Sequence, residues 1–157
     1  MNSVDLRFEY PAGRGLHRDL SVRLGTWQHL CDSYYFAIDE TSSAEAEVPQ
    51  ALVRLLEQWA EQVRLLQPTG GTAFLPFDFS DQYTGWFRVT SADGLDSHVE
   101  AGWSGIEGWS FYPSDIADTA RNVSDFKAIE GASTRCSIDE LLTWIADSTQ
   151  ALNTGNG

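Results

Sequence analysis

Period-two alternation dominates the middle of the chain. Within Thr72–Tyr112, Leu75, Phe77 and Phe79 alternate with Phe74, Pro76 and Asp78. Phe87 and Val89 then alternate with Trp86, Arg88 and Thr90. The clearest run follows, with Leu95, Val99, Ala101 and Trp103 on one face and Asp96, His98 and Glu100 on the other. Alternation of this kind predicts half-buried strands. Asp93-Gly94 predicts a tight turn between two of them, because glycine adopts positive φ without strain. Pro76 has no amide hydrogen to donate, which places the first strand at a sheet edge or ends it near there. Gly105 predicts another turn, into a last strand over Glu107–Tyr112. The expected product is an antiparallel meander.

The period changes on either side of it. In Pro49–Leu66, the residues Leu52, Leu55, Leu56, Trp59, Val63 and Leu66 recur at the three-and-four spacing of one helical face, with Arg54, Glu57, Glu61 and Arg64 opposite. Pro49 suits a first helical turn, and Pro68 with Gly70-Gly71 ends the helix. Near the C-terminus, Ser137-Ile-Asp-Glu140 has the form of a capping box, and Ile138, Leu141, Leu142, Ile145 and Leu152 continue as an apolar stripe. Val4–Tyr10 and Leu20–Leu24 read as a strand pair, and Tyr34, Phe36 and Ile38 as a third strand. Asp39–Glu47 reads as an exposed acidic loop, Pro113–Arg121 as a short helix, Phe126–Ile129 as a short strand and Asn153–Gly157 as a frayed tail. The order predicts a single α+β domain over residues 1–157, with a mainly antiparallel sheet, a central aromatic meander and two main covering helices.

Charge changes the functional picture. The formal net charge is −13 over 157 residues. Residues 32–47 hold five acids and no base, and residues 93–130 hold eight acids against Arg121 and Lys127, so these two stretches carry −11 of the −13. Such a chain repels nucleic acid and anionic membrane and attracts a basic protein, although acidity also serves solubility alone. No apolar run approaches the roughly 20 residues of a membrane span. MNSVDLRFEY lacks the basic and apolar regions of a signal peptide, which predicts a cytoplasmic protein. In that compartment Cys31 and Cys136 are expected as thiols in or near the core.

Catalytic signatures are sparse. His29 and Cys31, two apart on a strand, would share a face but have no second close pair, so no metal site and no cofactor is expected. There is no G-x-S-x-G elbow and no phosphate-binding loop. Two carboxylate pairs remain, Asp78 with Asp81 and Glu100 with Glu107. Beside the tryptophans they could line a carbohydrate cleft, as in glycosidases, and a small enzyme or carbohydrate-binding protein is the alternative function.

Gly-Trp-Ser occurs twice, at Gly102–Ser104 and Gly108–Ser110. Glycine permits a bend and the adjoining tryptophan either covers backbone or anchors a partner. In its size, acidity, α+β pattern and aromatic GWSGIEGWSFYPSD hairpin, the chain resembles the small cytoplasmic immunity proteins that bacteria pair with secreted toxins. That resemblance implies a cognate toxin as partner, with a basic nuclease fitting the charge best, and carries no residue roles. From this chain's own pattern, the candidate partner-binding residues are Asp96, His98 and Glu100 on one strand face, Glu107 and Trp109 in the next hairpin, and Asp39 and Glu40 in the acidic loop. No oligomeric state follows from the pattern.

Overall fold

The computed structural model describes residues 7–9, 20–31, 48–67, 69–113 and 115–154. Its elements run β1 (Arg7–Glu9), β2 (Leu20–Leu24), β3 (Trp27–Cys31), α1 (Val48–Arg64), β4 (Gly71–Phe79), β5 (Thr84–Ser91), β6 (Asp96–Ser104), a 3-10 turn (Gly108–Ser110), α2 (Ala117–Arg121), β7 (Lys127–Ser137) and α3 (Ile138–Thr154). Among the described residues every strand pairing is antiparallel, in a three-stranded sheet of order β1-β2-β3 and a four-stranded sheet of order β4-β5-β6-β7. The expected α+β class and aromatic meander are therefore present. The expected strand at Tyr34–Ile38 and the acidic loop lie outside the described residues.

One face of the four-stranded sheet builds the core. Leu75, Phe77, Phe87, Val89, Val99 and Ala101 are buried there. Leu52, Leu55, Leu56, Trp59 and Val63 of α1, with Ile138, Leu141 and Ile145 of α3, join the same cluster. The helices pack on each other, with α1 also against β4 and α3 against β7. The stripe read from the sequence thus becomes the buried face, while Arg54, Glu57, Glu61 and Arg64 are exposed. Each fully buried large side chain contributes about 1.5–3 kcal/mol. Trp59 is also anchored by a hydrogen bond, its Nε1 donating to the Pro76 carbonyl at 2.9 Å.

The three-stranded sheet closes the core. Leu20, Val22 and Leu24 of β2 are buried, and in register they lie beside Cys31, His29 and Trp27 of β3. Gln28 and Leu30, on the alternate positions, are exposed. β3 contacts both outer strands of the larger sheet, β4 and β7, and therefore spans its inner face.

Among the described residues, the other face of the larger sheet is covered only in part. The expected strand over Glu107–Tyr112 is instead a 3-10 turn and a loop, which fold back on this face. Phe111 stacks on Trp86 at 5.8 Å and packs on Phe79 at 5.2 Å. Trp86 becomes fully buried, with Nε1 donating to Ser104 Oγ at 2.8 Å. Gln58 of α1 holds the next part of this connection: its Nε2 donates to the Pro113 carbonyl at 2.8 Å and its Oε1 accepts from Ile116 N at 2.9 Å. Phe111 is on one side of the sheet and α1 on the other, so the connection passes around β4. That shields the edge at which Pro76 sits and blunts its capacity to pair with another chain.

The fourth strand comes later than expected. It is β7, eleven residues long, where only the short piece Phe126–Ile129 was anticipated. Its register with β6 jumps between Glu100 and Gly102, opposite Ser133 and Ala128 respectively, so Ile129–Ala132 bulge against Ala101. Gly131 takes φ +84 within this bulge. Leu95 also differs from expectation: it is 68% exposed in the turn, because the hairpin closes through Asp93.

Candidate functional site

The half of the sheet's outer face that the described residues leave uncovered is a polar depression of about 1110 Å³. Thr72, Arg88, Thr90, His98, Glu100 and Arg135 are among its lining, with Asp93, Asp96 and Glu140 at its margin strands and helix start. The alternation of β6 places Asp96, His98 and Glu100 together here, as the sequence pattern required. Arg135 of β7 stands opposite His98 in register.

Glu100 does not present a free carboxylate. Its Oε1 accepts from Arg88 Nη2 at 2.6 Å and from Arg88 Nε at 3.0 Å. The Arg88 guanidinium also lies over the Phe126 ring, 4.7 Å from its centroid. Phe126 can approach because residue 102 is glycine: a Cβ there would stand 2.5 Å from Phe126 Cζ and 2.3 Å from the Lys127 carbonyl oxygen. Arg88 and Glu100 are therefore fixed parts of the face.

At one end of the depression, Asp93 Oδ1 accepts backbone hydrogen bonds from Leu95 at 2.8 Å and Asp96 at 3.0 Å. The Asp96 and Leu95 amides hold the Asp93 carboxyl below its ordinary value. Cys136, whose thiol lies 3.5 Å from Ser97 Oγ, is displaced the other way: burial chiefly, then the charges of Glu140 and Asp96, push its thiol up, overcoming the opposing effect of Ser97. The thiol form of Cys136 is accordingly favoured at neutral pH, which makes it a poor nucleophile.

Glu107 and Trp109 lie beyond the other end of β6, both exposed, with Trp109 at 64%. The turn carrying them is pinned by Gly108 N donating to the Ser80 carbonyl at 2.7 Å. The structure thus brings together Asp96, His98 and Glu100, and places Glu107 and Trp109 apart from them. Asp39 and Glu40 lie outside the described residues. The carboxylate pairs do not share a cleft: Asp78 is turned inward while Asp81 is exposed, and Glu100 is bound to Arg88 while Glu107 lies past Gly105.

A second group of polar residues lies inside the molecule, where sequence reasoning saw only two of its three members. His29 Nε2 and Asp78 Oδ2 are 2.8 Å apart, and Cys31 lies with them: one ligating atom from each of the three falls within 4.8 Å of the others. Trp27 stacks on His29 at 5.7 Å, and Trp103 meets it edge-on at 5.3 Å. Asp78 is present because β4 carries a bulge at Phe77. Leu75 pairs with Phe87 and Pro76 with Trp86, but Asp78 then pairs with Gly85. The extra residue reverses the alternation, so that Asp78 turns to the inner face and Phe79 to the outer one. Gly85 leaves the necessary room, since a Cβ there would be 2.8 Å from Trp103 and 2.9 Å from Phe77. Alternation alone assigned Asp78 to the opposite face; Gly85 opposite a Pro-containing strand was the available signal.

No protein-family model and no curated protein matches the chain. Among solved structures the chain is similar to a chain of the CdiA-CT/CdiI toxin and immunity complex from Enterobacter cloacae, at 9% sequence identity and a TM-score of 0.46, over 99% of this chain and 100% of that one.

Proposed function

We propose that this protein is an acidic binding module of the immunity type, which holds and neutralises a basic protein toxin through the uncovered face of its four-stranded sheet. The observation that carries the reading is that face itself: an open polar depression with Asp93, Asp96, His98 and Glu140 around the fixed Arg88–Glu100 pair. Acidic groups on an open face steer a basic partner during encounter, and Arg88 and Arg135 supply donors for its acidic or carbonyl groups once docked. Trp109, exposed beyond the end of β6, is suited to act as an apolar anchor at the rim. The net charge of −13 acts in the same direction at longer range. A nuclease is the toxin class whose own basic surface would match best. The carbohydrate-cleft reading is less well supported, since neither carboxylate pair converges on a common space.

The test begins with affinity capture from host lysate, including the products of neighbouring genes, at low and high salt. One basic protein recovered at low salt and lost at high salt is the expected result, followed by inhibition of that protein's activity. Charge reversal at Asp96 and Glu107 together is then expected to slow association about tenfold or more at low salt, with little effect on dissociation. Glu100 is a poorer choice for reversal, because it would break the pair with Arg88 within the sheet. Association kinetics indifferent to both charge and salt would remove this face from the interface.

A further inference from the structure

We propose that His29, Cys31 and Asp78 form a binding site for one zinc ion. The three side chains offer an imidazole nitrogen, a thiolate sulfur and a carboxylate oxygen, with one ligating atom from each within 4.8 Å of the others. Zinc accepts all three donor types and takes four ligands, so this set fills three positions and leaves one for water or a partner's side chain. Zinc–ligand bonds of about 2.0–2.3 Å put tetrahedral donors roughly 3.3–3.6 Å apart, which small side-chain rotations reach from the observed arrangement. Calcium and magnesium are disfavoured, because they require oxygen donors.

The surroundings suit a bound ion better than an ordinary core contact. Cys31 is only 2% exposed and the Asp78 side chain 8%, whereas the His29 side chain is 27% exposed. The site is therefore closed on the thiol and carboxylate sides and open beside the imidazole, which gives an entry path. Trp27, Phe77 and Trp103 pack around the imidazole and form its walls. A buried carboxylate needs compensating partners, and a divalent cation beside Asp78 and His29 supplies compensating charge directly. A cysteine nucleophile fits less well, since a sulfur this buried is beyond reach of a substrate carbonyl. The strand geometry is what makes the set: period two on β3 aligns His29 with Cys31, and the Phe77 bulge brings Asp78 to meet them.

Binding replaces the His29–Asp78 hydrogen bond with two metal bonds. The Cys31 thiol loses its proton to solvent on forming the third, and the proton that His29 Nε2 shares with Asp78 moves by way of solvent to Nδ1, so that the neutral imidazole ligates through Nε2.

The full chain, stripped with a chelator, would be titrated separately with zinc chloride and cobalt(II) chloride. One equivalent of zinc retained through desalting is expected, with changed tryptophan emission from Trp27 and Trp103. Cobalt is expected to give a thiolate charge-transfer absorption that Cys31→Ser abolishes and Cys136→Ser preserves. His29→Gln and Asp78→Asn, which conserve shape, are each expected to weaken zinc binding at least about 100-fold while far-ultraviolet circular dichroism stays unchanged. Should Cys31→Ser fail to fold, alkylation of the unaltered protein replaces it: zinc is expected to protect Cys31 and leave the rate at Cys136 unchanged. Weak binding of several ions without charge transfer would overturn the site, since that is the behaviour of a diffuse acidic surface. So would a charge-transfer band that survives Cys31→Ser, or alkylation of Cys31 at equal rates with and without zinc. None of these readouts depends on the toxin partner, so this site and the proposed function stand or fall separately.

Discussion

Gly102 carries more of the fold than its size suggests. A Cβ at that position would press against the Lys127 carbonyl, which belongs to a paired strand and cannot swing aside. Gly102→Ala is therefore expected to destabilise the protein by about 1–3 kcal/mol, measured as a lower urea midpoint, and to loosen Phe126 from Arg88. Asp93 makes a different kind of contribution, readable in pH. Its folded value lies below the ordinary 3.8, so the stabilisation it gives is complete above that value and is lost as pH falls through the lower folded one. Urea midpoints of the wild type and Asp93→Ala are expected to differ at neutral pH and to converge on acidification through the lowered folded value. Parallel curves would show that the Asp93 carboxylate is not the group responsible. The Asp93-Gly94 turn was legible in the sequence because its chemistry is local. The exposure of Leu95 was not, because the alternation seemed to continue through a residue that the Asp93 carboxylate draws into the turn.

At the scale of elements, legibility followed the strength of the pattern. α1 and α3 announced themselves through an apolar stripe with a start signal, and β4 to β6 through unbroken alternation. β7 is weakly marked: among its eleven residues only Ala132 and Cys136 are buried, and the bulge around Gly131 interrupts the period. The segment Glu107–Tyr112 erred in the other direction. Its aromatic residues suggested a strand, but Phe111 is spent covering Trp86 while Trp109 stays outside. The capping box at the junction of β7 and α3 is reciprocal in the structure, with Ser137 N donating to Glu140 Oε1 and Glu140 N to Ser137 Oγ, both at 2.9 Å. Ser137→Ala and Glu140→Ala are each expected to cost about 0.5–2 kcal/mol in chemical denaturation, and the double variant less than the sum, because the two bonds fix the same turn. Full additivity would mean that the two bonds act independently.

For the whole molecule, the α+β class could be read from the order of periods, whereas the half-covered outer face could not. That face depends on where one connection folds back, and this is settled by long-range packing of Phe111 and by Gln58 gripping Pro113 and Ile116. The candidate residues on β6 were legible for the same reason as the strand. Pairing of Glu100 with Arg88 was not, because it depends on which strands are neighbours. The three-membered group around His29 was still less visible, as it joins two sheets through a reversal of alternation at a single residue.

The placement of β7 and α3 has a consequence for synthesis. These last elements complete the larger sheet and supply half of its helical cover, and α3 also packs against β1 at the other end of the chain. Until they leave the ribosome, β6 has an unpaired edge and the aromatic interior stands open on one side. A nascent chain in that condition is exposed to wrong pairing and to capture by chaperones. The larger sheet and its helical cover are therefore complete only once α3 has followed β7 out of the ribosome and packed against α1 and β1.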